Sequence, residues 1–315
     1  MAKRSLSLWK LNNNGCVGQL VLRWTLLHCN DRDLMNEPSP AANQQNSIIW
    51  PELWTAFAPH RSRICRTLCS LSRGPESRLC IWGSGRTTDL DLIELVKHFS
   101  QIDLVDLHPT VTNEALIQRG FAQHPRVTAI SRIDVAGLSN HWKEFKKSPC
   151  EFNLQAIINS CRDATISLGQ YDVVASTCLL SQVLRNAYEC VETSGLSHSL
   201  IQEYFPKILK SIREKHLELI LEHTVSGGSS VLITDLTSAE ALPQILKPNA
   251  DLNRLVSTDV VKGNHFHGLN PRLISESIEQ QFASEKLAQV QISSPWVWNA
   301  IENQYLCLAY RLDRK

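Results

Sequence analysis

Short apolar runs alternate with longer segments of helical spacing from residue 78 to residue 235. Runs of four to eight apolar residues predict buried strands, and apolar residues at i, i+3 and i+4 predict amphipathic helices. This pattern predicts strands at 78–82, 102–107, 126–133, 171–176 and 230–235. It predicts helices between them at 88–99, 110–121, 151–161, 179–191 and 198–224, the last ended by Gly227-Gly228. Strands that alternate with helices indicate an α/β fold, with a parallel, doubly wound sheet and helices on both faces.

Both ends of the chain depart from this alternation. The β-like runs 287–292 and 305–312 are separated by a turn-rich segment too short for a crossover helix, so we expect an antiparallel hairpin at one sheet edge. Before the first strand, residues 48–75 have helical spacing, with Pro59 expected to separate two short helices. We therefore predict a poorly ordered or loosely attached extension at 1–47, a helical cap at 48–75, and a main domain at 76–315 with an insertion at about 139–168.

Composition narrows the class of protein. Of 315 residues, 43% are hydrophobic and 20% are charged, as in globular proteins rather than disordered ones. Lys and Arg number 32 against 31 Asp and Glu, and this balance argues against a nucleic-acid partner. No apolar stretch approaches the roughly 20 residues that cross a membrane. We expect a soluble cytoplasmic protein without a membrane partner.

The cysteines agree with a reducing compartment. Ten cysteines include no Cys-x-x-Cys pair, and Cys80, Cys178 and Cys307 lie in apolar runs, where thiols act as small buried side chains. The first 30 residues contain no acidic residue, which is typical of an organelle transit peptide as well as of a poorly ordered extension.

Candidate chemistry follows the ends of the predicted strands. Gly83 and Gly85 follow the first strand, where glycine permits a tight turn and close approach of a ligand, although a plain strand-to-helix turn has the same pattern. Asp106, 23 residues after Gly83, ends the second strand near the position at which an acid accepts from ribose hydroxyls. Asp134, after the third strand, is placed to accept from an exocyclic amine. Each aspartate has a plainer alternative as a surface or helix-capping residue.

Together these strand ends resemble the class I S-adenosylmethionine-dependent methyltransferase family over residues 75–235, with support from the hairpin. The resemblance implies a mostly parallel, seven-stranded Rossmann-like sheet with an antiparallel C-terminal hairpin. It implies S-adenosylmethionine as cofactor, with the methionine portion along Gly83 and Gly85, the ribose on Asp106 and the adenine amine on Asp134. The full set of cofactor-binding residues that it implies is Trp82, Gly83, Ser84, Gly85, Asp89, Asp106, Leu107, Asp134, Val135, Ser176 and Thr177. Trp82 has core packing as its alternative.

Two departures from the family pattern concern the amino-acid end of the cofactor. The acid that often precedes the first glycine is Ile81 here, and the frequent third glycine is Thr87. Asp89 could hold the cofactor's ammonium instead, or could cap the following helix through first-turn N–H groups. Both alternatives remain open from the sequence.

Two other functions use the same fold. An NAD-dependent oxidoreductase would carry its third glycine at the position of Thr88, and a non-catalytic relative would keep the sheet and bind a partner. Thr88 favours the methyltransferase over the oxidoreductase.

The methyl acceptor has no signature. We expect a small molecule, with the N-terminal 75 residues and the insertion as a lid. His265 and His267 are weak candidates for a general base; on a strand they would share one face, as a metal pair does, or they could simply face solvent. No third ligand is nearby, so we predict no metal site.

Overall fold

The structure is a computed structural model that describes residues 52–263, 265–284, 286–300 and 303–315. The predicted extension at 1–47 lies outside the described residues. No described helix is both long enough and apolar enough to cross a lipid bilayer.

Five parallel strands form the larger part of the sheet. They are β1 (Arg78–Trp82), β2 (Gln101–Val105), β3 (Val127–Ile130), β4 (Tyr171–Thr177) and β5 (Thr224–Ser238). Their order across the sheet is β3-β2-β1-β4-β5. The order reverses direction at β1, and sheets of this kind bind ligands at such a point, here between the carboxyl ends of β1 and β4. The predicted parallel, doubly wound sheet is confirmed.

The antiparallel edge has three strands, one more than predicted. They are β6 (Leu287–Ile292), β7 (Trp296–Ala300) and β8 (Asn303–Arg314), and β8 pairs antiparallel with β5. The long β8 pairs with β6 along its second half and with β7 along its first half. The hairpin prediction is confirmed, but β7 lies in the segment expected to be turns. Its two tryptophans pack on other elements, a contact that local sequence does not reveal.

Helices cover both faces of the sheet. Residues 52–56 are helical. The α-helices that follow are α1 (Ala58–Cys69), α2 (Leu92–His98), α3 (Val111–Gln118), α4 (Ser139–Lys147), α5 (Glu151–Asp163), α6 (Leu179–Glu192), α7 (His198–Glu222), α8 (Leu252–Leu255, a single turn) and α9 (Pro271–Ala283). Helices α5, α6 and α9 pack on α7, and α1 packs on α2 and β7. The adjacent β1 residues Ile81 and Trp82 point to opposite faces of the sheet, and both side chains are fully buried. A sheet that is covered on both faces requires this.

The glycine pair expected to end α7 serves another purpose. Helix α7 ends at Glu222, and Gly227 and Gly228 lie inside β5, where the β4–β5 register shifts between Tyr171 and Val173. A Cβ on Gly228 would lie 2.7 Å from the Asp172 carbonyl oxygen. Gly228 is therefore required by a close approach of two strands, and the helix-ending prediction is wrong.

The proline prediction is confirmed. Residues 52–56 and Ala58–Cys69 form two short helices with a turn at Phe57 between them. Pro59 lies in the first turn of the second helix, α1, where its missing N–H and fixed φ cost little.

Candidate functional site at the carboxyl ends of β1 to β5

The glycine loop after β1 folds back over the end of β2. Gly83 N–H and Ser84 N–H both donate to the Val105 carbonyl oxygen, at 2.9 and 3.2 Å. Gly83 has φ 74° and its ideal Cβ would lie 2.7 Å from the Cβ of Leu179. Gly85 has φ 46°, and its ideal Cβ would meet nothing closer than 4.0 Å. Gly83 is therefore needed for packing, whereas Gly85 borders open space.

Asp106 joins the ends of β1, β2 and β3. Its Oδ2 accepts from Gly85 N–H at 2.8 Å, and its Oδ1 accepts from His108 N–H at 2.8 Å. Its backbone N–H donates to Ile130 at 3.1 Å, and its carbonyl accepts from Ile133 N–H at 3.1 Å. The three strand ends that carry Gly85, Asp106 and Asp134 thus meet at one edge. A carboxylate has about four acceptor positions, so two remain on Asp106.

Asp134 is a partly buried capping residue. Its Oδ1 accepts from Ala136 N–H and Gly137 N–H at 3.1 and 3.0 Å, and its Oδ2 accepts from Ser139 N–H at 2.7 Å. These bonds fix the turn that leads into α4. Three of its acceptor positions are used, which leaves about one for an external donor.

Asp89 does not cap α2. Helix α2 begins at Leu92, four residues later than predicted, and its cap is Asp91, whose Oδ1 accepts from Glu94 N–H at 3.2 Å. Asp89 is instead partly buried, near Thr177 at the end of β4 and near two arginines. Desolvation raises the pKa of its carboxyl to about 6, against the opposing effects of its own backbone N–H and of the nearby Arg119 and Arg61 charges. The capping alternative is wrong, and a carboxyl that lacks full solvation faces the fourth strand end.

Two predicted side chains are directed into the core. The Trp82 indole is fully buried, with its ring 5.8 Å from that of His216 and 5.7 Å from that of His223. The Ser176 hydroxyl is also fully buried, 2.8 Å from His216 Nε2. Core packing therefore accounts for the Trp82 side chain, and these two residues reach the crevice through their backbones.

The other predicted residues lie around the same edge. The buried Ser84 hydroxyl lies 3.0 Å from the Thr112 hydroxyl, and the Thr177 hydroxyl lies 3.4 Å from the Trp82 carbonyl oxygen. Val135 is buried in the core, and Leu107 is 41% exposed, an unusual position for leucine. Of the predicted set, Leu107 is exposed, whereas Gly83, Gly85, Asp89, Asp106 and Asp134 are partly buried.

Backbone strain is concentrated at this edge. Among the described residues, four other than glycine have positive φ, and three of them directly follow or lie close after sheet strands: Thr87 at 57°, Arg132 at 64° and Cys178 at 51°. The left-handed conformation raises the free energy of residues other than glycine, and residues that adopt it are often found at functional sites. The strain is independent support for a site here.

Several site residues carry no signal in the sequence. Arg61 and Arg119 donate to carbonyl oxygens of the glycine loop from 27 and 32 residues away. Asp235, near the end of β5, is buried with its Oδ1 lacking a hydrogen-bond partner among the described residues, and desolvation raises its pKa. Only the fold brings these groups to the edge.

The histidine pair is not on a strand. His265 and His267 lie in turns, and the His267 ring stacks on Tyr188 at 4.3 Å, with Phe205 at 5.6 Å. Burial lowers the pKa of His267. The solvent-facing alternative is therefore wrong for His267, and so is the shared strand face. The described residues contain no group of three or more His, Cys, Asp or Glu arranged for a metal ion.

Sheet topology decides the fold. A mostly parallel central sheet, helices on both faces, and an antiparallel C-terminal hairpin on β5 place the candidate site at the carboxyl ends of the strands. The chain has the Rossmann-like fold of the class I methyltransferases.

Comparison with solved structures finds chains of low similarity. Similar chains include the N-methyltransferase NodS from Bradyrhizobium japonicum WM9, at 11% identity and TM-score 0.40, covering 82% of this chain and 97% of that one. Magnesium protoporphyrin IX methyltransferase (ChlM) from Synechocystis PCC 6803 is 11% identical, with TM-score 0.41 and 94% of each chain covered. An O-methyltransferase family protein from Burkholderia thailandensis is 11% identical, with TM-score 0.41, covering 95% of this chain and 67% of that one.

Sequence comparison adds nothing to this methyltransferase fold. No family model matches the chain, and no curated protein matches it. The assignment therefore rests on the order and direction of the strands.

Proposed function

We propose that this chain binds S-adenosylmethionine and transfers its methyl group to a small-molecule acceptor. The observation that carries the proposal is the contact between Gly85 N–H and the Asp106 carboxylate, at the point where the ends of β1, β2 and β3 meet. That contact places an acid with free acceptor positions beside an open glycine.

The donor set fits the proposed cofactor. The two remaining acceptor positions on Asp106 match the two vicinal ribose hydroxyls. Asp134 has about one position left, which suits one hydrogen of the adenine amine. The open space beside Gly85 would take the methionine portion, which a Cβ there would crowd.

Asp89 supports recognition of the amino-acid end. Burial desolvates its carboxyl and raises its pKa, so an ammonium group would stabilise its ionised form. We therefore assign to Asp89 the ammonium contact that an acid at position 81 often supplies in the family resembled. The capping role that the sequence left open for Asp89 belongs to Asp91, so Asp89 is available for this contact.

The cofactor supplies an electrophilic methyl group on a sulfonium. Held along Gly85, Asp106 and Asp134, it would be attacked at the methyl carbon by an acceptor lone pair, and the electron pair of the broken carbon–sulfur bond would stay on sulfur. An acceptor N–H or O–H also gives its proton to a base or to water. The contribution of this chain is to hold the reactants close and aligned, which can supply most of the acceleration.

A small acceptor in a reducing, cytoplasmic compartment completes the proposal. The charge balance of 32 basic against 31 acidic residues offers no general attraction to nucleic acid. All eight cysteines in the described part of the chain are free thiols. The His267 imidazole, whose pKa burial lowers, is the weak candidate for a general base.

Calorimetry with S-adenosylmethionine, S-adenosylhomocysteine and NAD in parallel tests the proposal. We expect saturable binding of the first two and none of NAD. Asp106→Ala should weaken binding by about 1.5–3 kcal/mol, because charge-assisted hydrogen bonds to the ribose are lost.

Asp163→Ala is the matched control, because Asp163 is exposed at the end of α5. It should bind as the wild type does. Binding of NAD alone would replace the proposal with a dehydrogenase, and binding of none of the three would favour a non-catalytic interaction protein. Unchanged affinity in a folded Asp106→Ala protein would remove Asp106 from the site.

A further inference from the structure

Thr87 has a backbone conformation that its side chain disfavours. It stands where the family resembled often has a third glycine, and it keeps the left-handed conformation with φ 57°. It is 1% exposed and β-branched, so its Cβ substituents crowd the backbone in that conformation. Other contacts must compensate for this cost.

Arg119 supplies those contacts from α3's C-terminal end. Its Nη1 donates to the carbonyl oxygen and the hydroxyl of Thr87, both at 2.9 Å, and its Nη2 donates to the Leu90 carbonyl oxygen at 3.0 Å. The Leu90 N–H in turn donates to the Thr87 carbonyl at 3.2 Å. One planar guanidinium therefore holds both ends of the turn from 87 to 90.

A second arginine extends the same arrangement to the N-terminal helix. Arg61 Nη1 donates to the carbonyl oxygens of Trp54 and Thr88, both at 2.9 Å. The Trp54 ring lies against both guanidinium groups, 3.4 Å from Arg61 Cζ and 4.6 Å from Arg119 Cζ. Burial lowers the pKa of Arg119 to about 10, and the carboxylates of Asp91 and Asp89 favour its charged form.

We propose that Arg119 is a positioning residue that holds Thr87 left-handed, and that it thereby fixes the glycine loop in its binding geometry. Thr87 is two residues from Gly85, whose N–H donates to Asp106. Loss of the guanidinium lets the loop relax, and the Gly85–Asp106 contact loosens with it. The part of this inference that concerns cofactor binding rests on the proposed function.

Rescue by glycine tests the proposal. Because glycine adopts φ near 57° without strain, Thr87→Gly should remove the need for Arg119. We expect Arg119→Met to weaken S-adenosylhomocysteine binding about tenfold, a ratio that corresponds to about 1.4 kcal/mol, and to speed amide hydrogen exchange across residues 83–90. The double variant Thr87→Gly/Arg119→Met should recover both properties to within about threefold of Thr87→Gly alone.

Arg126→Met is the matched control, because Arg126 also donates to a backbone carbonyl, Val96 at 3.0 Å, away from the glycine loop. It should change neither measurement. Thermal unfolding of each variant without ligand separates loss of fold from loss of loop geometry. If Arg119→Met does not fold, Arg119→Lys replaces it, since lysine keeps the charge but not the planar fork.

Two results would overturn the proposal: wild-type exchange in the arginine variant, or a double variant no better than the arginine variant alone. If the wild type binds neither cofactor form, the proposed function fails, and hydrogen exchange alone decides the role of Arg119.

Discussion

At the scale of single residues, the same amino acid has different roles at two positions of one loop. Two aspartates two positions apart in the loop before α2 have different environments: Asp91 caps the helix, whereas Asp89 is desolvated and has a raised pKa. The sequence analysis named only Asp89 as a capping candidate. The difference arises because Asp89 lies against β4 and two arginines, which are distant in the chain.

Asp89 gives a pH dependence that can be measured. Its pKa of about 6 in the folded protein is above its ordinary value, so its ionisation between about pH 4 and pH 6 disfavours the folded state, and a bound ammonium relieves that cost. We expect S-adenosylhomocysteine affinity to rise toward a plateau above about pH 6, with up to a tenfold gain per pH unit below it. Asp89→Asn should bind more weakly and lose this dependence. Calorimetry from about pH 5 to about pH 8 measures it, and a pH-independent wild type would contradict the ammonium role.

At the scale of elements, most of the regular structure could be predicted. The first strand was predicted with its observed ends, and the helices at Glu151 and Leu179 begin where the apolar period begins. Errors occur where two elements meet: α2 begins four residues late because loop residues 87–90 are held by Arg119, and β7 was missed because its tryptophans pack against α1.

The glycine pair in β5 gives a prediction at this scale. Gly228→Ala should lower the free energy of unfolding by about 1–3 kcal/mol, because the new Cβ would overlap backbone. That atom would lie 2.7 Å from the Asp172 carbonyl oxygen and 2.9 Å from Thr224 Cγ2. Urea denaturation measures the change.

Gly169→Ala is its control. A Cβ there would lie 3.4 Å from the flexible Arg78 side chain, so we expect a change within about 1 kcal/mol. Equal effects in the two variants would show that the strand approach is not what selects glycine at position 228.

At the scale of the whole molecule, α1 connects the glycine loop to the C-terminal strands. Arg61 of α1 donates to the loop, and its neighbour His60 accepts from Trp296 Nε1–H at 3.0 Å through Nδ1. The His60 ring also stacks on Trp298, with centroids 4.5 Å apart. Residues 236 positions apart in the chain, His60 and Trp296, thus belong to one aromatic cluster beside the arginine that contacts the glycine loop.

His60 in this cluster and His216, which packs on Trp82, should make the fold acid-sensitive. Burial lowers the pKa of His60 to about 3 and that of His216 to about 4. Below about pH 6.5 these histidines bind protons in the unfolded chain but stay neutral in the folded protein. The free energy of unfolding therefore falls as the pH falls toward 4. The raised pKa values of Asp89 and Asp235 oppose this effect, and the lowered pKa of His267 adds to it. His60→Asn should reduce the slope of unfolding free energy against pH by at most about 1.4 kcal/mol per unit.

Urea unfolding at about pH 7, 6, 5 and 4 measures that slope, and it is the slope rather than the stability at one pH that tests the role of His60. His198→Asn, at an exposed position, should leave the slope unchanged. A wild-type slope in His60→Asn would place the acid sensitivity elsewhere.

The sequence alone determined the alternation of strands and helices and the residues at each strand end. The apolar period and the glycine and aspartate positions are local signals, because each depends on only a few neighbouring residues. Gly85 and Asp106 were predicted to converge, and they lie in direct contact. The tertiary structure decided the rest. Arg119 on Thr87, Asp89 at β4, Asp235 in the core and His60 against β7 are contacts between distant segments, and no local pattern encodes which partner a buried polar group meets.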